Sequence, residues 1–218
     1  MTPEPAPSAE DPPGGVVPPT ADPDRRPAAL AQRAECEQWY RRLRLQRQLH
    51  DGASLRISAL VPQLGVVRTR VPEAQPDLDA SIQGLQEQLH TVLQELREIA
   101  RAIYPPVLNE AGLGPALRDH AEHLDVPVHV DVGPERFGPA VEGAAFFAVT
   151  ACLAALPAGA APVEVSARRE RDTLLVVLSG VPPRLATVVC EHVCGLGGRI
   201  DTSGGPELGT IEARIPCG

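Results

Sequence analysis

The sequence contains no lysine, few aromatic residues and no long uncharged apolar run, and each of these shortages excludes something. All 20 basic residues are arginine and 28 residues are acidic, which gives a net charge of -8. A chain of this charge lacks the basic face that broad nucleic-acid binding requires. No apolar stretch reaches the roughly 18 residues that span a bilayer, and the acidic, proline-rich N-terminus is unlike a signal peptide. We therefore expect a cytoplasmic protein with no membrane span and no nucleic-acid partner.

Cysteine is also scarce, and an odd number of five thiols with no secretion signal predicts that all are reduced. Cys190 and Cys194 flank His192 at a spacing that could begin a zinc site, but no second pair of cysteines supplies the missing ligands. His120 and His123 could form half of another metal site, but no acidic or thiol partner is evident. We therefore expect no metal site, and a solvated face at the two histidines.

Apolar periodicity divides the chain into three segments. Residues 1–27 are rich in proline, glycine and aspartate, and such a composition predicts a disordered tail. Residues 28–104 have the three-and-four spacing of two long helices joined at "VPEAQPD", with a kink or an early helix end predicted at Pro62. The two helices should form an antiparallel hairpin, and a homodimer would bury its apolar seam as a four-helix bundle.

Residues 105–218 have a mixed pattern of short strands and helices. "YPPVL" ends the second long helix because two prolines cannot continue it. Strands are predicted at "VPVHVDV", "APVEVSARRE", "DTLLVVLSG", "GRIDTS" and "GTIEARIP", with helices at "GLGPALRDHAEHL", "GPAVEGAAFFAVTACLAAL" and "PRLATVVCEHVCGL". This order predicts an α+β sandwich with helices on one face of a mixed sheet.

Three stretches have a more specific character: "RQLHDG", "LQELREIARAIYPPVLNEAGLGPALRDHAE" and "VCGLGGRIDTSGGPELGTIEARIP". A heptad helix that ends in proline and is followed by a Gly-Leu pair and another helix rarely arises from generic patterning. With these stretches the chain resembles the bacterial two-component sensor histidine kinases, in the subfamily whose response regulators usually carry a helix-turn-helix output domain. The resemblance covers roughly residues 40–217 and implies a phosphoacceptor hairpin followed by an ATPase-like domain.

The resemblance implies a role for two adjacent residues. In the family a histidine attacks the γ-phosphate of ATP, and a neighbouring carboxylate orients the imidazole and accepts its proton. His50 matches this phosphoacceptor and Asp51 the carboxylate. Helical geometry sets His50 about 100° from the seam residue Leu49, so its ring should face solvent or a docking partner. The alternative interpretation is a solvated histidine without chemistry.

Four arginines lie within about two helical turns before His50, namely Arg41, Arg42, Arg44 and Arg47. They could contact the acidic rim of a receiver domain or stabilise a phosphohistidine. An exposed, charged helix face is the alternative.

The phosphoacceptor box departs from the family pattern at two places. Gln48 stands where the family usually has a glutamate, two residues before the histidine. Ser54 and Leu55 stand where the family has a glutamine that orients water for dephosphorylation of the regulator. Phosphatase activity is therefore not expected.

The nucleotide domain departs further. The family's magnesium-binding asparagine, an earlier glutamate and a Lys-His pair correspond to positions without ligand side chains, Ala155, Ala151, Ala158 and Gly159. The Asp-x-Gly-x-Gly turn and the lid are missing, because "GVPPRLATVV" runs directly from strand to helix. Since phosphoryl transfer depends on groups placed around the triphosphate, we expect no ATP, no magnesium and no autokinase activity.

The sequence thus predicts a degenerate histidine kinase-like signalling protein that dimerises, docks a response regulator or a partner kinase, and relays a phosphoryl group through His50. A second hypothesis is an active kinase with an unrecognised nucleotide site. A third is a non-catalytic scaffold in which His50 has no chemical role.

Overall fold

The computed structural model describes residues 25–72 and 75–217, so the predicted tail lies outside the described residues except for its last three positions. Helix α1 (Arg25–Arg47) begins inside that predicted tail. It continues through a π-helical turn (Gln48–Ser54) into α2 (Leu55–Arg68). Pro62 lies inside α2, so the helix does not end at this proline. The irregularity of the long helix lies upstream, at the π-helical turn.

Helix α3 (Pro76–Ile103) packs along α2 and the π-helical turn to complete the hairpin. Near the connection, Arg68 donates two hydrogen bonds to the carboxylate of Asp79, at 2.7 and 2.8 Å. Apolar residues of α3 lie on two sides. One set is buried in the hairpin, namely Ile82, Leu93 and Ala100. A second set recurs every seven residues and is exposed, namely Leu78, Leu85, Val92 and Ile99. The predicted helical hairpin is confirmed.

The C-terminal region contains four helices and five strands, with bounds close to those predicted. The helices are α4 (Pro106–Ala111), α5 (Leu113–Ala121), α6 (Pro139–Ala154) and α7 (Ala186–Val193). The strands are β1 (Val128–Val132), β2 (Val163–Glu170), β3 (Thr173–Val181), β4 (Arg199–Gly204) and β5 (Gly209–Pro216). Helix α4 was not predicted; it follows the proline pair because Pro106 occupies its first turn, where no amide donor is needed.

The five strands form one mixed sheet of order β1-β2-β3-β5-β4. Strand β1 runs parallel to β2, and the other neighbours are antiparallel. The register aligns buried side chains across the sheet, so that Val165 faces Leu178 and Leu178 faces Ile211. On β2 and β5 the neighbours of these residues along the strand are polar, as with Glu164 and Ser166 beside Val165. One apolar face therefore packs on the helices, which confirms the predicted α+β sandwich.

Helix α6 forms the centre of the domain, because α1, α4, α5 and α7 and the strands β3 and β5 all contact it. It is buried on nearly all sides, which explains why its sequence is apolar apart from Glu142 and Thr150. Helix α1 reaches it through Trp39, whose side chain is 1% exposed and packs against Phe147 with ring centroids 5.6 Å apart. The hairpin and the sandwich thus share one hydrophobic core. In the part of the chain that the structure describes, no helix combines the length and apolarity needed to cross a membrane.

Candidate functional site

His50 lies in the middle of the π-helical turn that joins α1 to α2. Such turns are rare in proteins, and they occur frequently at functional sites. The extra residue in the turn changes the direction of the side chains that follow, so the angle expected from a regular helix does not apply. His50 is half-buried and lines a cleft between the hairpin and the C-terminal domain. His50 is not part of the hydrophobic core, and contact of its ring with a docking partner stays a prediction.

The cleft beside His50 has a volume of about 440 Å³. Its hairpin side carries Arg97 and Arg101, one turn apart on α3. Its opposite side is formed by His120 of α5 and by Phe146 and Phe147 of α6. We call this space the hairpin cleft. It joins the predicted phosphoacceptor to residues that the sequence analysis did not select.

Asp51 is exposed, whereas His50 is half-buried. Among the hydrogen bonds of the described residues, none joins the side chains of His50 and Asp51. The two residues are thus neighbours in the π-helical turn without a fixed side-chain contact. Asp51 is accessible to an incoming partner in this arrangement.

The four arginines before His50 do not form one surface. Arg42 stacks on the ring of Trp39, with its Cζ atom 4.4 Å from the ring centroid. Arg47 donates to Oδ1 of Asn109 at 2.9 Å, which ties α1 to α4. Arg41 and Arg44 are exposed. The structure therefore gives two of the four arginines an internal role and leaves Arg41 and Arg44 as candidates for partner contact.

His120 is half-buried, in contrast to the solvated face expected for it and His123. Its ring meets the Phe146 ring nearly edge-on, with centroids 6.0 Å apart. Burial lowers the pKa of His120, and the nearby His123 lowers it further. The Nε2 atom of His120 is buried and has no hydrogen-bond partner among the described residues. His123 remains exposed, and its Nδ1 lies 2.7 Å from the backbone oxygen of Asp119.

The positions aligned with the family's nucleotide ligands lie at the end of α6 and in the loop beyond it. Ala151 is half-buried on α6, and Ala155 follows the last residue of the helix. Ala158 and Gly159 are exposed in the loop. None of these side chains carries an oxygen or nitrogen atom, so they do not fit magnesium or a triphosphate.

The connection after β3 is equally short. Val181 ends the strand, Pro182 is buried, and the 3-10 turn Pro183–Leu185 leads directly into α7. Four residues, Pro182 to Leu185, connect strand and helix, which is too short a segment for a flexible lid. This arrangement corresponds to the missing lid expected from the sequence.

Two buried groups at the start of α6 were missed by the sequence analysis, and one of them joins α6 to the hairpin. Glu142, in the first turn of α6, is 1% exposed and accepts hydrogen bonds from Arg136 Nε and from the backbone N–H of Phe137, each at 2.9 Å. Tyr104, at the end of α3, donates from its hydroxyl to the oxygen of Pro139 at 3.2 Å. Burial, followed by the charge of Glu142, raises the pKa of Tyr104, so the phenol stays protonated. The sequence does carry a signal for Glu142, because it is a single glutamate within a long apolar stretch, and charged residues in such buried segments are usually paired.

The cysteines differ from the prediction of five reduced thiols. Cys190 and Cys194 form a disulfide across the end of α7, with Cα atoms 5.1 Å apart. The i and i+4 spacing, which could have begun a zinc site, brings the two sulfur atoms into a covalent bond with each other. Cys36, Cys152 and Cys217 are free thiols. Within residues 25–72 and 75–217, no three His, Cys, Asp or Glu side chains are grouped as metal ligands.

Comparison with known proteins supports the assignment of the hairpin. Residues 41–108, which include His50 and span the π-helical turn, α2 and α3, match a family model described as histidine kinase. No curated protein sequence matches the chain.

Similar solved structures are also histidine kinases. The histidine kinase domain of the blue-light activated histidine kinase from Erythrobacter litoralis EL346 is 19% identical with a TM-score of 0.43, over 74% of this chain and 94% of that one. Histidine kinase AdeS from Acinetobacter baumannii is 12% identical with a TM-score of 0.35, over 74% of this chain and 95% of that one. The similarity to histidine kinases therefore rests on residues 41–108, less than half of the chain, which match the family model.

Proposed function

We propose that this chain is a dimeric two-component signalling protein in which His50 accepts a phosphoryl group from an external donor, while the C-terminal domain binds no nucleotide. One contrast carries the proposal. His50 lies on a hairpin that matches the histidine kinase family, and it lines an open cleft. The positions that should hold magnesium and phosphate carry alanine and glycine instead, namely Ala151, Ala155, Ala158 and Gly159.

The loss of these ligands bears directly on catalysis. Enzymatic phosphoryl transfer from ATP relies almost entirely on positioned metal ions and hydrogen-bond donors around the triphosphate. In acyl-transfer enzymes, removing even one oxyanion-hole donor slows the reaction by about 10²–10³. Removing the metal ligand, the glutamate, the Lys-His pair and the lid together leaves no group to place the γ-phosphate. We therefore infer that the chain is not an autokinase.

An external donor restores the chemistry that the chain lacks. We infer that the donor is an aspartyl phosphate on the receiver domain of a response regulator, or a phosphohistidine on a partner kinase. With a receiver, an imidazole nitrogen of His50 attacks phosphorus, a P–N bond forms and the P–O bond to the aspartate breaks. The receiver carboxylate leaves as the anion. Asp51, exposed beside His50, would take the proton that the imidazole releases.

The exposed arginines suit such a partner. The active site of a receiver domain is acidic, and Arg41 and Arg44 present unburied guanidinium groups on α1 close to the π-helical turn. Charge complementarity of this kind increases the rate of encounter more than the final affinity. We infer that these two residues, and not Arg42 or Arg47, contact the regulator.

Dimerisation follows from the exposed apolar stripe of α3. Leu78, Leu85, Val92 and Ile99 recur at heptad spacing and are each 43–51% exposed. A stripe with this period is the usual seam of a helical bundle. We propose that a second copy of the chain covers it and forms the four-helix bundle expected for the family.

The dimer is tested by light scattering coupled to size-exclusion chromatography. A Leu85→Glu, Val92→Glu double variant places two charges in the seam and should elute as a monomer with unchanged circular dichroism. Gln94 is exposed and lies about 180° around the helix from Leu85. A Gln94→Glu variant should remain dimeric. A wild-type protein that is monomeric at tens of micromolar would contradict the proposed assembly.

The nucleotide part is tested by isothermal titration calorimetry with Mg-ATP, using an active histidine kinase as positive control. The proposal expects no saturable heat at millimolar nucleotide. Saturable binding would favour the alternative of an active kinase with an unrecognised site. Transfer to His50 from a phosphorylated partner separates the relay from the scaffold hypothesis, because a scaffold acquires no label.

A further inference from the structure

The hairpin cleft has the size and composition of a small-molecule site. Its volume of about 440 Å³ lies within the range of about 300–1,000 Å³ that is typical of ligand pockets. The rings of Phe146 and Phe147 are packed edge-to-face, with centroids 5.4 Å apart, and form much of the inner wall. Polar groups stand at few places around this apolar wall, as in most sites that bind organic ligands.

The charged groups of the cleft favour an anion. Arg97 and Arg101 line it from successive turns of α3. Neither forms an ion pair or a side-chain hydrogen bond with the residues that the structure describes, whereas seven ion pairs elsewhere engage other arginines. Asp119 is the one carboxylate among the described residues that line the cleft, so the two arginines outnumber the acidic groups. Two guanidinium groups one turn apart can hold a carboxylate, sulfonate or phosphate between them.

His120 supplies an independent sign of an absent partner. Its Nε2 atom is buried, lacks a hydrogen-bond partner among the described residues, and belongs to a ring that lines the cleft. Buried polar atoms are nearly always satisfied in native proteins, and leaving one unpaired is costly. The His120 ring thus leaves an unpaired polar atom beside the cleft.

We propose that the hairpin cleft binds a small organic anion. Its acidic head group pairs with Arg97 and Arg101, and its aliphatic or aromatic body lies against Phe146 and Phe147 within reach of His120. Binding would also cover His50, which lines the same cleft. That regulatory consequence rests on the proposed function of His50, whereas the binding site itself does not.

The chain carries its own reporter for this binding. Trp39 is the single tryptophan, and it packs on Phe147 with ring centroids 5.6 Å apart. A ligand that contacts the other side of Phe147 should therefore change the tryptophan emission. The binding isotherm is followed by Trp39 fluorescence with decanoate, and by calorimetry with decanoate and 1-naphthoate, which compare aliphatic and aromatic bodies. Decanamide serves as the uncharged counterpart of decanoate.

The proposal expects saturable binding of at least one carboxylate, and binding at least about tenfold weaker for decanamide. An Arg97→Gln, Arg101→Gln double variant should weaken carboxylate binding by at least about tenfold and leave decanamide unchanged. Arg56, which is exposed on α2 outside the cleft, provides the control variant Arg56→Gln with unaltered affinity. No saturable binding of either carboxylate, or equal binding by the double variant with native circular dichroism, would overturn the proposal.

Coverage of His50 is measured without phosphorylation. Diethyl pyrocarbonate acylates accessible imidazoles, and mass spectrometry locates the product. Saturating decanoate should reduce acylation of His50 in the wild type but not in the arginine double variant, while exposed His129 reacts equally in both. Unchanged acylation of His50 despite saturable binding would refute the regulatory consequence. A failure of phosphoryl transfer to His50 would instead refute the proposed function and leave the binding site intact.

Discussion

The indole ring of Trp39 packs directly on the backbone of Gly143, and this contact fixes α1 against α6. A β-carbon on Gly143 would lie 2.6 Å from Cε3 and 2.8 Å from Cζ3 of the indole, and 3.0 Å from Cε2 of Tyr104. Distances this short require the rings to move. Helix α1 contributes Trp39 and the end of α3 contributes Tyr104, so one glycine of α6 receives both long segments of the hairpin.

Gly143→Ala should therefore lower the free energy of unfolding by about 1–3 kcal/mol, because the added methyl group overpacks a full site. Urea unfolding followed by Trp39 fluorescence measures the change. Gly84 on α3 is the matched control, since a β-carbon there meets nothing within 4 Å. Gly84→Ala should stabilise the protein by about 0.5–1 kcal/mol through helix propensity. A Gly143→Ala variant as stable as the wild type would contradict the tight contact.

The buried carboxylate of Glu142 should be structural. It accepts from Arg136 Nε at 2.9 Å, from Arg136 Nη2 at 3.1 Å and from the backbone N–H of Phe137 at 2.9 Å. Glu142→Ala removes these charge-assisted bonds and should cost about 2–3 kcal/mol, measured as the shift in the urea midpoint. Glu170, in an exposed pair with Arg168, is the control, and Glu170→Ala should cost less than about 1 kcal/mol. Equal losses of stability for Glu142→Ala and Glu170→Ala would contradict the structural role of Glu142.

The contrast between confirmed and missed features has a physical origin. The strands were predictable because apolar and polar residues alternate along β2 and β5, and this alternation follows from one buried face. Helix α6 was predictable because it is apolar on all sides. These patterns depend only on residues that are close together in the chain, so the strands and the helix can be predicted from a single sequence.

The missed features depend on contacts between distant segments. The π-helical turn at His50 leaves no mark in a pattern of threes and fours, so the angle expected for His50 in a regular helix does not apply there. The pairing of Trp39 with Gly143 joins residues far apart in the chain, and the hairpin cleft unites α3, α5 and α6. Arg97 and Arg101 looked like ordinary surface residues, because only the tertiary fold brings them beside His120.

Stability should fall when the solution becomes mildly acidic. Burial lowers the pKa of both His120 and His192 in the folded protein. An unfolded histidine takes up a proton near pH 6.5, whereas the folded ones take it up at a lower pH. Below about pH 6.5 the unfolded state therefore binds more protons, and protonation favours unfolding until the lowered pKa of the folded state is passed.

Urea midpoints at about pH 7.5 and about pH 5.5 measure this effect. His120→Gln should lose less stability between these values than the wild type, because one of the two histidines with a lowered pKa is gone. His129 is exposed on β1, so His129→Gln should follow the wild type. A pH dependence unchanged by His120→Gln would contradict the assignment.

The five cysteines should separate into three classes on alkylation with iodoacetamide. Cys36 and Cys217 are partly exposed and should react in the native protein. Cys152 is 0% exposed and burial raises its pKa to about 11, so it should react only after unfolding. Cys190 and Cys194 should react only after reduction of their disulfide. Peptide mass spectrometry distinguishes the classes, and labelling of Cys190 without a reductant would restore the initial prediction of free thiols.

The central claim is that His50 receives a phosphoryl group that the chain cannot generate itself. The most direct measurement incubates the purified full chain with Mg-ATP alone, and separately with the phosphorylated receiver domain of a cognate regulator. Mass spectrometry at neutral pH then locates the acid-labile phosphoryl group. The account predicts no label from Mg-ATP, a label on His50 from the receiver, and none on His50→Gln. Label from Mg-ATP alone, or no label on His50 from any phosphorylated partner, would contradict it.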